Sequence, residues 1–326
     1  MNNEPNKKNG AKPAVAHKKN ILDDRRIRLA LSVLGNYTAR VSPCKYFYQL
    51  FGMRFRIVER DGHMNKKSVM PTMESVDRFK AAMDSDRGAL GPFMICTDPA
   101  MVEAAGHAGY DFVLLDMEHG TTTFQELPNL IRAANVTGVC PVVRVPRGSD
   151  IWIDQALDVG AGAVMIPQID TAEQARAAVS AAKFSPVGTR GTCRFVRSAG
   201  FGAVPGSEYF SRAQDTVVIL QAEGQKAIDN LDEILDVPGI DVVFVGPYDL
   251  SSSLGHVGEI DHPEVIAAIK QIIAKAAAKG VKIGCFADTV EGGKKWRDMG
   301  VKFIGYGCDT YIFMQAAKAD VAEFDV

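Results

Sequence analysis

The sequence predicts an α/β fold, a (β/α)8 TIM barrel preceded by a basic N-terminal extension. Three observations carry this. From Ser75 onward, short apolar or β-branched runs alternate with amphipathic helical stretches that often end at glycine, the pattern of repeated βα units on a parallel sheet. Eight such runs occur, the number that closes a barrel. The roughly 240 residues they occupy match the usual length of that fold. A doubly wound open sheet is the main rival, but no G-x-G-x-x-G follows any strand.

The division expected is residues 1–74 as the extension and 75–326 as the barrel. The first 63 residues carry 13 Lys and Arg against 5 Asp and Glu, whereas the remainder carries 24 against 34, so head and body differ sharply in charge. Residues 1–20 are polar and basic, contain Pro and Gly, lack periodicity and are expected to be disordered. Residues 27–58 add apolar and aromatic groups without a clean helix or strand pattern. Three readings of the head stay open: an extension the barrel does not need, a transit peptide, or a folded interaction element.

In the body, strands are expected at residues 89–95, 111–115, 140–145, 163–167, 216–221, 241–245, 281–286 and 302–306. Helices read clearly at 99–108, ending before Gly109, and at 262–279, ending at Gly280. Residues 185–212, rich in Gly and Arg, are too long for an ordinary connection and are expected to form part of a lid or an interface.

Bulk properties narrow the function. The formal charge of −2 over 326 residues argues against a nucleic-acid partner. No apolar run reaches the roughly 18 to 20 residues that span a bilayer, so no membrane partner is expected. Six cysteines without C-x-x-C spacing are read as reduced thiols, pointing to the cytoplasm.

In a parallel barrel, the residues at the C-terminal strand ends meet at the site. The second strand ends D-F-V-L-L-D-M-E-H-G and delivers Asp116, Glu118 and His119. The third delivers Arg144, the fifth Gln221 and Glu223, and the sixth, V-V-F-V-G-P-Y-D-L-S, delivers Asp249. Glu223 and Asp249 come from consecutive strands, about 4.8 Å apart, so their carboxylates can converge on one cation. That donor set suits Mg²⁺ or Mn²⁺, with Co²⁺ as a further candidate, better than structural zinc. Each carboxylate taken alone also fits a helix cap or an ion pair.

Arg144 offers a planar fork for a substrate carboxylate or an enolate oxygen, or else a structural pair with Asp116 or Glu118. His119 is the histidine found at a strand end and leads as the acid/base group. His256 and His262 read as turn or cap residues. A Schiff-base lysine is not expected: Lys282 and Lys302 sit at strand starts, and Lys183, Lys226, Lys270 and Lys275 fall on helices or loops. No nucleotide cofactor is expected either.

The ordered set D-M-E-H-G, V-V-R-V-P, Q-A-E and G-P-Y-D-L-S-S-S-L-G, with L-D-V-G-A-G-A, V-G-T-R-G, V-P-G-I-D and H-P-E-V, resembles the HpcH/HpaI family of class II pyruvate aldolases from about Ala89 to the C-terminus. The resemblance implies a barrel of the phosphoenolpyruvate/pyruvate-binding type. It implies that Glu223 and Asp249 bind a divalent metal, that Arg144 contacts pyruvate, that His119 is the acid/base group and that Asp116 orients the site. The residue matching Asp158 is associated in that family with the histidine, although here it sits near the end of a helix returning toward the fourth strand, away from the mouth, from where it would reach a site only across a subunit interface. Gln221, Phe93, Gly246, Pro247 and Tyr248 complete the expected substrate contacts. Phe93 stands where some members place tryptophan, and Tyr248 occupies a variable, often small position.

The activity implied is reversible cleavage of a 4-hydroxy-2-oxo acid to pyruvate and an aldehyde, by a homo-oligomer, expected to be a hexamer. Two alternatives are kept: an acyl-CoA lyase of the citrate or malyl-CoA lyase type (or another enolate reaction such as decarboxylative addition), and a non-catalytic barrel that binds a 2-oxo acid.

Overall fold

A computed structural model describes residues 70–147 and 150–324. The readings of residues 1–69 lie outside the described residues. Eight parallel strands close into a barrel in sequence order: β1 (Ala89–Met94), β2 (Phe112–Asp116), β3 (Cys140–Arg144), β4 (Ala163–Ile166), β5 (Val217–Gln221), β6 (Val242–Val245), β7 (Lys282–Ala287) and β8 (Phe303–Cys308). Each expected strand is present within two residues at either end, because long Val- and Leu-rich runs tolerate only small shifts when buried on both faces.

The connecting helices are α2 (Pro99–His107), α3 (Leu127–Thr137), α4 (Asp150–Asp158), α5 (Ala172–Ala182), α6 (Gly206–Ala213), α7 (Gln225–Asp229), α8 (Leu231–Leu235), α9 (Pro247–Ser253), α10 (Pro263–Ala278), α11 (Val290–Asp298) and α12 (Asp309–Glu323), with α1 (Pro71–Asp84) ahead of β1. Side-chain caps set several starts: Asp98 accepts from the Ala100 N–H, Thr171 and Gln174 form a capping box, and His262 accepts from the Glu264 N–H.

Two apolar cores result. One fills the space between the barrel wall and the helices. The other fills the barrel and continues through its base, where Phe79 of α1 meets Phe112 and Phe303, the first residues of β2 and β8, at centroid distances of 5.5 and 5.8 Å. Helix α1 therefore plugs the N-terminal end. This shifts the expected boundary: Met70, Thr72 and Met73 are buried and belong with the barrel, not with the extension.

Residues 185–212 also differ from expectation. They contain a 3-10 turn (Arg197–Gly202) and most of α6, and Phe184, Tyr209 and Ala213 join the core beneath the barrel. Arg212 pairs with Asp77 of α1 at 2.8 Å. Helix α5 runs from the mouth back to the base, so the chain before β5 packs at the base and forms no lid over this chain's own mouth.

Candidate active site at the barrel mouth

Residues from seven strands surround a cavity of about 220 Å³ at the C-terminal face, lined by Phe93, Asp116, His119, Arg144, Gln221, Gly246, Tyr248, Asp249 and neighbours. Asp116, the last residue of β2, is paired in register with Arg144, the last of β3. Its carboxylate takes both prongs of the guanidinium, from Nε at 2.8 Å and from Nη2 at 2.6 Å. It also accepts the backbone N–H groups of Glu118 (3.0 Å) and His119 (3.3 Å), fixing the turn that presents the histidine. Both members of this ion pair are buried, where bidentate geometry is needed to offset desolvation. The Arg144 guanidinium lies 5.0 Å over the Phe93 ring.

Beyond the arginine lies a group of carboxylates. Glu118 Oε2 is 3.1 Å from Arg144 Nη1 at ion-pair distance, yet no hydrogen bond satisfies that oxygen. Burial raises the Glu118 pKa, more than Arg144 and His119 lower it. Glu223, just past β5, is buried too. Burial above all, with Asp249 and Glu118 adding like charge, pushes its carboxyl up to about 7 against the opposing hydrogen bond from Gln221 Nε2. Asp249 enters from the first turn of α9.

Two oxygens, Glu223 Oε2 and Asp249 Oδ2, lie 2.8 and 3.2 Å from the point that a Cβ on Gly246 would occupy, so a glycine between β6 and α9 leaves one space for both to face. Gln221 Oε1 is buried beside them without a donor. Crowded carboxylates with orphaned acceptors form a site short of positive charge, and an all-oxygen set of this kind fits a hard divalent cation.

His119 stands at the rim, its side chain 73% exposed and its Nε2 4.0 Å from Glu118 Oε2. Phe93, Gly246, Pro247 and Tyr248 line the cavity as expected. Asp158 does not join them. It ends α4 at the barrel base, where its Oδ1 accepts from Arg190 Nη2 at 2.8 Å. Lys183 is buried at the base as well, donating to the carbonyls of Gln214 and Thr216, and burial lowers its pKa.

Several lining or supporting groups were not singled out from the sequence. Phe244 and Phe286 form an aromatic wall with Phe93, at 6.2 and 5.5 Å from it. Asp309 is buried and accepts from the Ile95 and Cys96 N–H groups, clamping the end of β1 to the end of β8. Asp288 accepts from the Tyr248 hydroxyl at 2.6 Å. A D-T pair after a strand is the one signal that marks Asp309.

Comparisons with known proteins place this geometry in context. Residues 90–316 match the family model of HpcH/HpaI aldolase/citrate lyase. The chain is 40% identical over 230 residues to a 2-dehydro-3,6-dideoxy-6-sulfogluconate aldolase of Pseudomonas putida, covering 70% of this chain and 89% of that protein. It is 38% identical over 248 residues to a 2-keto-3-deoxy-L-rhamnonate aldolase of Escherichia coli strain K12, covering 76% and 92%. Among solved structures, an aldolase/citrate lyase family protein from Burkholderia cenocepacia superposes with a TM-score of 0.72 at 33% identity, covering 76% of this chain and 98% of that one.

Proposed function

The chain belongs to the HpcH/HpaI aldolase/citrate lyase family and is a lyase of the aldolase type, and from that premise we propose that it reversibly cleaves a 4-hydroxy-2-oxo acid to pyruvate and an aldehyde. The observation that carries the reading is the convergence of Glu223 and Asp249 on one space beside the fixed guanidinium of Arg144. Glu223 and Asp249 would hold a divalent cation, Mg²⁺ or Mn²⁺, with Co²⁺ as a further candidate. Bound there, the cation supplies Lewis-acid polarisation of a keto group and offsets enolate charge.

The chain's own groups do the rest. Asp116 and Glu118 hold Arg144 so that the remaining N–H donors of Nη1 and Nη2 face the carboxylate and the developing enolate oxygen of the 2-oxo acid. Gln221 directs Nε2 to Glu223 and leaves Oε1 for a donor on the substrate or its hydration. In cleavage the C3–C4 bond breaks, its electron pair passes into the pyruvate enolate, and the C4 hydroxyl loses its proton to become the aldehyde. In this reading His119, at the open rim, takes that proton, and a proton returned to C3 completes pyruvate. The Phe93, Phe244 and Phe286 wall excludes water from the enolate side.

A homo-oligomer, a hexamer, belongs to the same reading. It is supported by a groove of about 380 Å³ on the outer face of β1 and β8, lined by Leu90, Tyr110, Val290, Ile304 and Tyr306 together with Arg87, Lys294 and Arg297. Helix α12, whose buried residue is Asp309 alone, exposes Phe313, Met314 and Val321. A second copy's apolar helix suits that groove. A cytoplasmic location fits the free cysteines among the described residues, and no helix there is long and apolar enough to cross a membrane.

The test is pyruvate release from a 4-hydroxy-2-oxo acid, before and after chelation. Release is expected to stop with the metal removed and to return on adding Mg²⁺ or Mn²⁺, while borohydride with substrate leaves the enzyme active. Release that survives proven metal removal would sink the proposal.

A further inference from the structure

At the barrel mouth, on the side of β6 and β7, stands a polar pair with no part in holding Arg144 or the carboxylates. Tyr248, the second residue of α9, lines the cavity with its ring 6.3 Å from that of Phe286. Its hydroxyl reaches Asp288, the residue after β7, at 2.6 Å from Oδ2. An ionised carboxylate only accepts, so the phenol hydrogen is committed to Asp288 and the outward face of the tyrosine oxygen is a lone pair.

The rim therefore offers acceptors and a negative charge. Among the described residues lining the cavity, Arg144 is the permanent cation, and Asp116 and Glu118 already engage it. Lys295, near this edge, is paired with Asp261. We propose that Tyr248 and Asp288 form the subsite for the aldehyde partner, and that they select a neutral aldehyde bearing hydroxyl groups over one bearing a carboxylate or sulfonate tail. Hydroxyl donors satisfy the tyrosine oxygen and the free Asp288 oxygen. An anionic tail meets like charge, and a purely apolar one offers these acceptors no donor. This inference rests on the pyruvate-aldolase reading of the site.

The experiment measures kcat/KM in the synthetic direction with full-length protein, saturating pyruvate and added Mn²⁺. Glycolaldehyde and L-lactaldehyde are compared with succinic semialdehyde, and solvent deuterium exchange into the pyruvate methyl is followed in the same preparation. The hydroxyaldehydes are expected to exceed succinic semialdehyde by about tenfold or more. Asp288→Asn narrows that ratio several-fold through a lower KM for succinic semialdehyde. Tyr248→Phe, which keeps the ring, narrows it from the other side by weakening the hydroxyaldehydes. Wild-type protein that exchanges pyruvate protons yet uses succinic semialdehyde as well as the hydroxyaldehydes overturns the subsite alone. A ratio unmoved in both variants does the same. Absence of exchange in the wild type overturns the pyruvate reading and the subsite with it.

Discussion

Burial above all, with the like charges of Asp249 and Glu118, raises the Glu223 carboxyl to about 7. In the unfolded chain its pKa returns to the ordinary value, so in metal-free protein the folded state binds the proton more tightly. Stability from this group is therefore lost as pH rises from about 4.5 to about 7. Glu223→Gln removes the charge at constant shape. In chelator it should raise the melting temperature at pH 8 and leave it near wild type at pH 5. Excess Mn²⁺ should then raise the wild-type melting temperature well above that of the variant. Equal melting shifts at both pH values would contradict this. Gly246→Ala tests the same space sterically: its Cβ would press on both carboxylate oxygens, and Mn²⁺ affinity should fall about 10- to 100-fold. Arg144→Lys keeps charge but loses the fork held by Asp116, and kcat/KM for cleavage should drop at least about 100-fold. The strand-end positions of Glu223, Asp249 and Arg144 were legible in the sequence because each ends or follows an apolar run. The orphaned oxygens of Glu118 and Gln221, and the bond from Tyr248 to Asp288 across 40 residues of chain, were not. Those depend on side-chain directions that strand position alone leaves open.

Among the elements, strand and glycine positions explain each other. Gly284 of β7 and Gly305 of β8 face into the barrel, where an added Cβ would lie 2.7 Å from Phe244 and 2.6 Å from Phe93 respectively. Large rings from β1 and β6 thus fill space that β7 and β8 leave empty, in the manner of packed barrel layers. Gly284→Ala or Gly305→Ala should each cost about 1–3 kcal/mol by overpacking, read by denaturant melts. Gly305→Ala should also lower activity, because Phe93 carries the Arg144 guanidinium on its face. Strands and the longer helices were readable from periodicity. Helix α6 was not, because residues 185–212 mix Gly, Arg and aromatics without a repeat, and their burial comes from packing with Phe184 beneath the barrel. The same placement leaves Asp158 with Arg190 at the base, far in topology from His119, although the family pattern associates the two.

At the scale of the whole molecule, the boundary lies ahead of α1. The plug formed by Val76, Phe79 and Met83 closes the barrel base, so a chain starting at residue 85 should fail to fold, whereas one starting at Met64 should keep the melting temperature and activity of the full chain. Phe79→Ala alone should cost about 3–5 kcal/mol. Closure at the base leaves the mouth as the one end where strand-end polar groups meet an open cavity, which joins fold to reaction. The central claim, a metal-dependent pyruvate enolate at Glu223 and Asp249, is tested most directly by deuterium exchange into the pyruvate methyl, titrated with Mn²⁺. Wild-type protein should show exchange that saturates with Mn²⁺ and vanishes in chelator, and Glu223→Gln and Asp249→Asn should show none at wild-type saturating metal. Exchange that persists without metal, or survives unchanged in both variants, would contradict the account.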